Sequence, residues 1–198
     1  MNSVDLGEVS RPLEEQLPQL SWRARSALFG VCGYALLPIL REVEVRFSRR
    51  WTFPDAEIAL SASREFAVGA APARINQDLR DRVLNSVPNG HDLDSPWSTY
   101  TLDASVCVDA ALVAASADLQ GSFDPSWLYY ALESLAVTLS PNIYELAPDL
   151  LAEGSRFILA VNFLGDAISE LSSSDGVDDE AYGDLLRRAA VINPFSEV

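Results

Sequence analysis

The segment PDLLAEGSRFILAVNFLGDAISELS, residues Pro148–Ser172, decides the fold class of this 198-residue chain. From Leu150 to Leu171, its apolar residues and one glycine recur at alternating steps of four and three, the period of one helix face. Its middle part, Phe157–Leu164, is apolar on nearly every side apart from Asn162. Because this composition is typical of a helix surrounded by others, we expect a long central helix here.

Helical periodicity also recurs along the rest of the chain, and no run alternates strictly enough to indicate a β-strand. Ser21 is a good N-cap for an apolar helix that Pro38 should kink or split, and Asp124-Pro125 should open another helix. The segment Pro88–Asp92 is the clearest turn or exposed loop. These signals predict an all-α fold, with residues 1–198 forming a single globular bundle of about seven to nine helices.

The spacing also assigns inward faces to two of these helices. One should start near Thr52 and stop at Gly69, with Ile58, Ala62 and Phe66 on its inward face. The other should start near Pro96 and end at Gly121, with an inward stripe of Leu102, Val106, Ala110, Val113 and Ala117. In the long helix, Gly154 and Gly165 are unfavourable, and we expect close helix packing to explain them.

The charge of the chain is strongly negative and unevenly distributed. There are 29 acidic residues against 14 basic ones, for a formal net charge of −15. Residues 1–90 hold 11 acidic and 11 basic residues, whereas residues 91–198 hold 18 acidic and 3 basic residues. This balance argues against nucleic-acid binding, which needs cations to neutralise phosphates. One His and two Cys are too few for a structural zinc site, and we expect no metal or cofactor.

The sequence gives no signal for export or for membrane insertion. The first twenty residues are acidic, which is the wrong sign for a secretory signal peptide. The longest uncharged apolar stretch, Ser26–Leu40, would reach about 22 Å as a helix, short of a bilayer core. We therefore expect a buried helix, a cytoplasmic protein, and reduced, buried thiols at Cys32 and Cys107.

No catalytic constellation is recognisable, and we expect the chain not to be an enzyme. His91 lies in a turn beside Asp92, without a nucleophile motif nearby. Asp109 borders an inward stripe, which suggests a buried polar site; pairing with an arginine or backbone amides is favoured over a ligand-facing role or exposure. The loop Asp175–Glu180 fails the ligand spacing of a calcium-binding EF-hand and is better explained as negative charge at a helix start.

Two features favour a protein partner: the acidic second half and the aromatic residues beside its acidic patches. An acidic surface attracts basic proteins, and Trp and Tyr are enriched at interface hot spots. Solubility and core packing are the alternative explanations. The candidate partner-binding residues are Asp92, Asp94, Trp97, Tyr100, Asp124, Asp175, Asp178, Asp179 and Glu180.

One pattern resembles a known group of proteins. Leu20-Ser21-Trp22-Arg23 leads into the apolar helix broken by Pro38, and the helix from Leu102 to Ala117 then carries Asp103 and Asp109. In this order and spacing the chain resembles the helical immunity proteins of bacterial polymorphic toxin systems and an uncharacterised helical family close to them. The resemblance implies a cytosolic protein that binds and blocks a cognate toxin, often a basic one.

The leading hypothesis is therefore an inhibitor that occludes the active site of a basic toxin domain. A structural or adaptor protein is the main alternative, with Phe157–Leu164 as the interface of a homodimer. A carboxylate-based enzyme and a nucleic-acid mimic are further alternatives.

Overall fold

A computed structural model of the chain describes residues 6–47, 53–72, 77–85, 97–136 and 155–192. Within these ranges the chain forms helices and no strand, so the all-α prediction is confirmed. Two short 3₁₀ turns, Leu17–Gln19 and Gln120–Ser122, accompany the α-helices. The helices are α1 (Leu6–Glu14), α2 (Trp22–Phe47), α3 (Phe53–Ala67), α4 (Gln77–Asn85), α5 (Trp97–Ala115), α6 (Trp127–Ala136), α7 (Arg156–Leu171) and α8 (Asp179–Ile192).

The centre of the bundle is formed by α2 and α5, which pack against each other more extensively than any other pair of helices. This corrects the expectation that the segment Pro148–Ser172 is central. Residues 148–154 lie outside the described ranges, and the rest forms α7, which keeps a solvent face that includes Arg156, Asn162 and Asp166. The reason is that its apolar period describes one buried face, whereas α5 is buried on nearly all sides.

Helix α2 begins as the sequence predicts and then runs without a break. The Ser21 hydroxyl accepts a hydrogen bond from the Ala24 amide at 3.1 Å, and the helix continues through Pro38 instead of splitting. Its Trp22–Val45 portion has the length and hydropathy of a membrane-spanning helix, but 72% of its most apolar stretch is buried inside the bundle. A core helix passes the same test, and the prediction of a buried helix at Ser26–Leu40 is confirmed.

The inward faces of α3 and α5 differ from the predictions. Helix α3 does end before Gly69, whose φ is +118°, but the predicted core residue Ile58 is 56% exposed. Its buried face includes Ala56, Ala59 and Leu60, together with Phe66, which the spacing predicted. Helix α5 ends at Ala115 and not at Gly121. In its predicted inward stripe, Ala110 and Val113 are buried, whereas Leu102, Val106 and Ala117 reach solvent. Since α5 is apolar around most of its circumference, spacing alone does not select its inward side.

The two cysteines are free and fully buried, in agreement with the prediction. Cys32 lies on α2 and Cys107 on α5, in the same hydrophobic core. Burial raises the pKa of the Cys32 thiol to about 12 and that of the Cys107 thiol well above its usual range. Burial therefore favours the protonated thiol at both positions.

Candidate protein-binding surface

Four of the predicted partner-binding residues lie together where α7 turns into α8. Asp175 and Asp178 lie in the connecting loop, and Asp179 and Glu180 begin α8. All four are exposed. The Asp178 carboxylate caps α8, because its Oδ1 accepts a hydrogen bond from the Ala181 amide at 2.8 Å. The sequence-based interpretation of this loop as negative charge at a helix start agrees with this geometry.

The α7–α8 loop is held against the end of α3 by backbone contacts. The Val177 amide donates to the Ala67 carbonyl oxygen at 3.3 Å. A Cβ atom on Gly176 would lie 2.8 Å from that same oxygen, so only glycine fits at this position without a shift. Arg23 donates to the carbonyl oxygens of Phe66 and Ala70 at the end of α3, and its Cβ lies 3.3 Å from the Cβ position of Gly176. The loop therefore has a defined conformation before any partner binds.

Some carboxylates around this loop have arginine partners in the same chain. Arg64 pairs with Asp179 at 3.0 Å. Arg188 donates to both oxygens of Glu170, at 2.9 and 2.7 Å, and these hydrogen bonds raise the pKa of the Arg188 guanidinium. The Nε atom of Arg188 also lies 3.3 Å from a carboxylate oxygen of Asp184.

Among the described residues, Asp175 and Glu180 have no ion-pair partner within 4.0 Å. Six carboxylates, from Glu170 to Asp184, therefore face three arginines (Arg64, Arg187 and Arg188), and the surface keeps an excess of negative charge.

A groove of about 310 Å³ lies between the end of α7 and the start of α8. Its walls include the apolar side chains of Leu171, Val177 and Leu185. The carboxylates of Glu170, Asp178 and Asp184 also line it. Glu170 and Asp184 are not among the residues that the sequence analysis predicted for the site. The i,i+4 spacing of Asp184 and Arg188 is the sequence pattern that could have indicated an ion pair at Asp184.

Asp124 lies at the same end of the bundle as this loop. Its carboxylate accepts a hydrogen bond from the Ser126 amide at 2.9 Å in the turn before α6, and the residue is exposed. The neighbouring Phe123 ring packs edge-on against Trp22, with ring centroids 5.6 Å apart. Since Trp22 and Arg23 are the first residues of α2, both acidic segments flank the start of that helix. We call Asp124, Asp175, Asp178, Asp179 and Glu180 the acidic end.

The remaining predicted partner-binding residues do not belong to the acidic end. Trp97 is partly exposed at the start of α5, and the chain reaches Asp124 only after α5 has run about 28 Å. Tyr100 is 2% exposed and packs near Trp97, so its assignment to a contact surface was wrong. Burial raises the pKa of Tyr100 to about 12. Asp92 and Asp94, like His91, lie outside the described residues.

Asp109 is buried and paired, as the favoured interpretation of the sequence predicts. Arg80 on α4 donates to both of its carboxylate oxygens, at 2.7 and 3.1 Å, and the Asp109 side chain is only 4% exposed. Burial raises the pKa of Asp109, while the Arg80 guanidinium acts in the opposite direction. The contact ties α4 to α5, so this carboxylate is engaged in holding two helices together.

Two further carboxylates are buried, although their burial was not predicted from the sequence. Asp103 on α5 is 1% exposed and Glu133 on α6 is 5% exposed. Burial raises the pKa of Glu133. Both residues lie in strongly apolar stretches, which is the signal that could have identified them. Within the described ranges, no group of three His, Cys, Asp or Glu residues is placed to hold a metal ion.

The comparisons with known proteins assign no function to this surface. No protein-family model, no curated protein and no solved structure matches the chain. The resemblance to helical immunity proteins therefore remains an expectation based on helix order and spacing. Any functional conclusion depends on the residues of this chain.

Proposed function

We propose that this chain is a cytoplasmic protein-binding inhibitor, an immunity protein that neutralises a basic toxin domain by covering its active site. The acidic end is the surface proposed to make the contact. The observation that carries the proposal is the excess of exposed carboxylates on a loop that backbone contacts hold in place.

The electrostatics of this surface suit the capture of a basic protein. An excess of negative charge accelerates the encounter with a cationic surface and repels nucleic acid. Asp175 and Glu180 have no internal ion pair among the described residues, so a partner would not have to displace an arginine from them.

The rigidity of the loop favours tight binding for a separate reason. Ordering a flexible loop on association costs free energy, and a loop that is ordered beforehand avoids that cost. In the free protein, the loop is joined to α3 by the hydrogen bond from the Val177 amide to Ala67, and Gly176 packs closely against the Ala67 carbonyl oxygen and the Arg23 side chain. An inhibitor of this type would change little on binding.

The alternatives have less support among the described residues. The homodimer hypothesis depends on Phe157–Leu164, but Phe157, Phe163 and Leu164 are buried within the chain's own core. Leu159 is the one large apolar residue of that stretch that is strongly exposed, at 43%. The enzyme hypothesis depends on Asp109, whose two oxygens are both occupied by Arg80.

The test asks first whether the neighbouring reading frame encodes a toxin domain, and then measures the Kd of that domain for the purified chain at several salt concentrations. A neighbouring frame without such a domain would count against the proposal. We expect tight binding that weakens as salt rises. The triple variant Asp175→Asn, Asp179→Asn, Glu180→Gln removes three charges and leaves the Asp178 cap in place. It should weaken binding at least about tenfold at low salt.

The matched control removes the same number of charges from other exposed positions: Glu15→Gln, Glu57→Gln and Asp81→Asn. It should change the Kd by less than about threefold. Equal losses in the two triple variants would show that overall charge, and not the acidic end, governs binding. Absence of any binding to the neighbouring toxin would refute the proposed function.

A further inference from the structure

We infer that the groove between α7 and α8 receives one arginine or lysine side chain of the partner. This inference rests on the proposed function, because it takes the partner to be a basic protein. It assigns a specific contact to one place, whereas the acidic end as a whole supplies long-range attraction.

The groove combines two chemical properties that match a long cationic side chain. Its walls include Leu171, Val177 and Leu185, and it also exposes the carboxylates of Glu170, Asp178 and Asp184. Arginine and lysine bury an aliphatic stem against apolar surface and keep the charged group among polar groups. The volume of 310 Å³ corresponds to about ten water molecules, which is enough room for such a side chain.

The chain itself shows that these carboxylates bind a guanidinium group. Arg188 contacts both oxygens of Glu170 and lies 3.3 Å from one oxygen of Asp184. Bidentate contacts of this type select arginine geometrically. Among the described residues, Asp178 is the groove carboxylate without an ion pair, so its charge is available to an incoming cation. Glu170 and Asp184 can accept further hydrogen bonds beside those from Arg188.

Asp178 is the carboxylate best placed to discriminate this inference from general attraction. Its Oδ1 caps α8 by accepting from the Ala181 amide, and it lines the groove. Asparagine is an equally good N-cap, so Asp178→Asn removes the charge and keeps the cap. Asp175 is an exposed acidic residue of the same loop that does not line the groove, which makes Asp175→Asn the matched control.

The experiment titrates the ¹⁵N-labelled chain with n-butylguanidinium chloride and follows the backbone amide resonances. We expect saturable shifts centred on Ser174, Gly176, Val177 and Ala181, and no such shifts with n-butanol, which lacks the charge. Asp178→Asn should weaken this binding by about fivefold, and Asp175→Asn by less than about twofold. Asp184→Asn provides a second groove variant if Asp178→Asn does not fold.

Shifts spread evenly over all exposed acidic residues, or equal losses in the groove and control variants, would overturn the inference. If the toxin domain still binds through the acidic end in that case, the proposed function stands without the groove. Conversely, specific binding of butylguanidinium by a chain that binds no toxin would retain the groove and remove the proposed function.

Discussion

The α4–α5 contact and the acidic end use the same residue type for different purposes. At the first, Asp109 is 4% exposed on its side chain and is fully paired with Arg80. At the second, Asp175 and Glu180 are exposed and have no ion pair among the described residues. The difference shows that burial, more than the identity of a carboxylate, decides whether it stabilises the fold or is available to a partner.

The largest effect is expected at the buried pair. Asp109→Ala leaves the Arg80 guanidinium without its partner and creates a small gap, and it should lower the free energy of unfolding by about 3 kcal/mol. Urea unfolding measures this change. Asp175→Ala serves as the exposed counterpart and should not alter the urea midpoint measurably. A loss below about 1 kcal/mol for Asp109→Ala would contradict the contrast between the two regions.

The next effect concerns the core beside α8. A Cβ atom on Gly30 would lie 2.6 Å from the buried Tyr182 hydroxyl oxygen, so Gly30→Ala should destabilise the protein by about 2 kcal/mol. The Tyr182 hydroxyl has no hydrogen-bond partner among the described residues. Tyr182→Phe alone should therefore be tolerated, and in the double variant it should recover much of the stability that Gly30→Ala loses. A double-mutant cycle of unfolding free energies, measured by thermal or urea denaturation, tests this. If the two substitutions destabilise the protein additively, Gly30→Ala does not act through a clash with the Tyr182 hydroxyl.

A smaller effect of opposite sign is expected on α7. A Cβ atom on Gly165 would meet only the Leu13 side chain, at 3.8 Å, which is ordinary van der Waals contact. The expectation that close packing requires this glycine was therefore wrong, whereas Gly154 lies outside the described residues. Gly165→Ala should stabilise the protein by about 0.5–1 kcal/mol through helix propensity, measurable as a raised Tm. A lowered Tm would show that a Cβ atom at this position of α7 clashes with a neighbouring side chain.

The finest distinction between the two regions is in pH dependence. Because burial raises the pKa of Asp109, the folded protein holds this proton more tightly than the unfolded chain. Its contribution to stability is thus present at low pH and is lost as the pH rises through the folded pKa. The difference between the unfolding free energies of the wild type and of Asp109→Asn (wild type minus variant) should therefore decrease as the pH is raised above about 4. For Asp175→Asn, the same difference should show no such fall.

The sequence predicted the parts of the fold that depend on local rules. The cap at Ser21, the stop at Gly69 and the start of α6 after Asp124-Pro125 follow from backbone preferences. The inward sides predicted for α3 and α5 were right in part: Phe66, Ala110 and Val113 are buried, whereas Ile58 is 56% exposed. Because α5 is apolar around most of its circumference, spacing alone does not select its inward side.

The candidate site was predictable in part for the same reason. The four acidic residues of the α7–α8 segment lie together because they are close in sequence. The pairing of Asp109 was expected from its position, but Arg80 is 29 residues away, and no local pattern names it. Tyr100 was misassigned because tyrosine serves both cores and interfaces, and only the packing of α5 distinguishes these roles.

The seam between the α7–α8 loop and α3 has a consequence for how this surface can change. The atoms that fix the loop are main-chain atoms of Ala67 and Val177, together with Arg23 and the hydrogen-only side chain of Gly176. Asp175 and Glu180 take no part in that scaffold. Substitutions at those two positions can therefore change the charge and shape of the surface without altering the path of the backbone. Natural mutation or library design could in this way change which partner the surface binds while the fold stays the same.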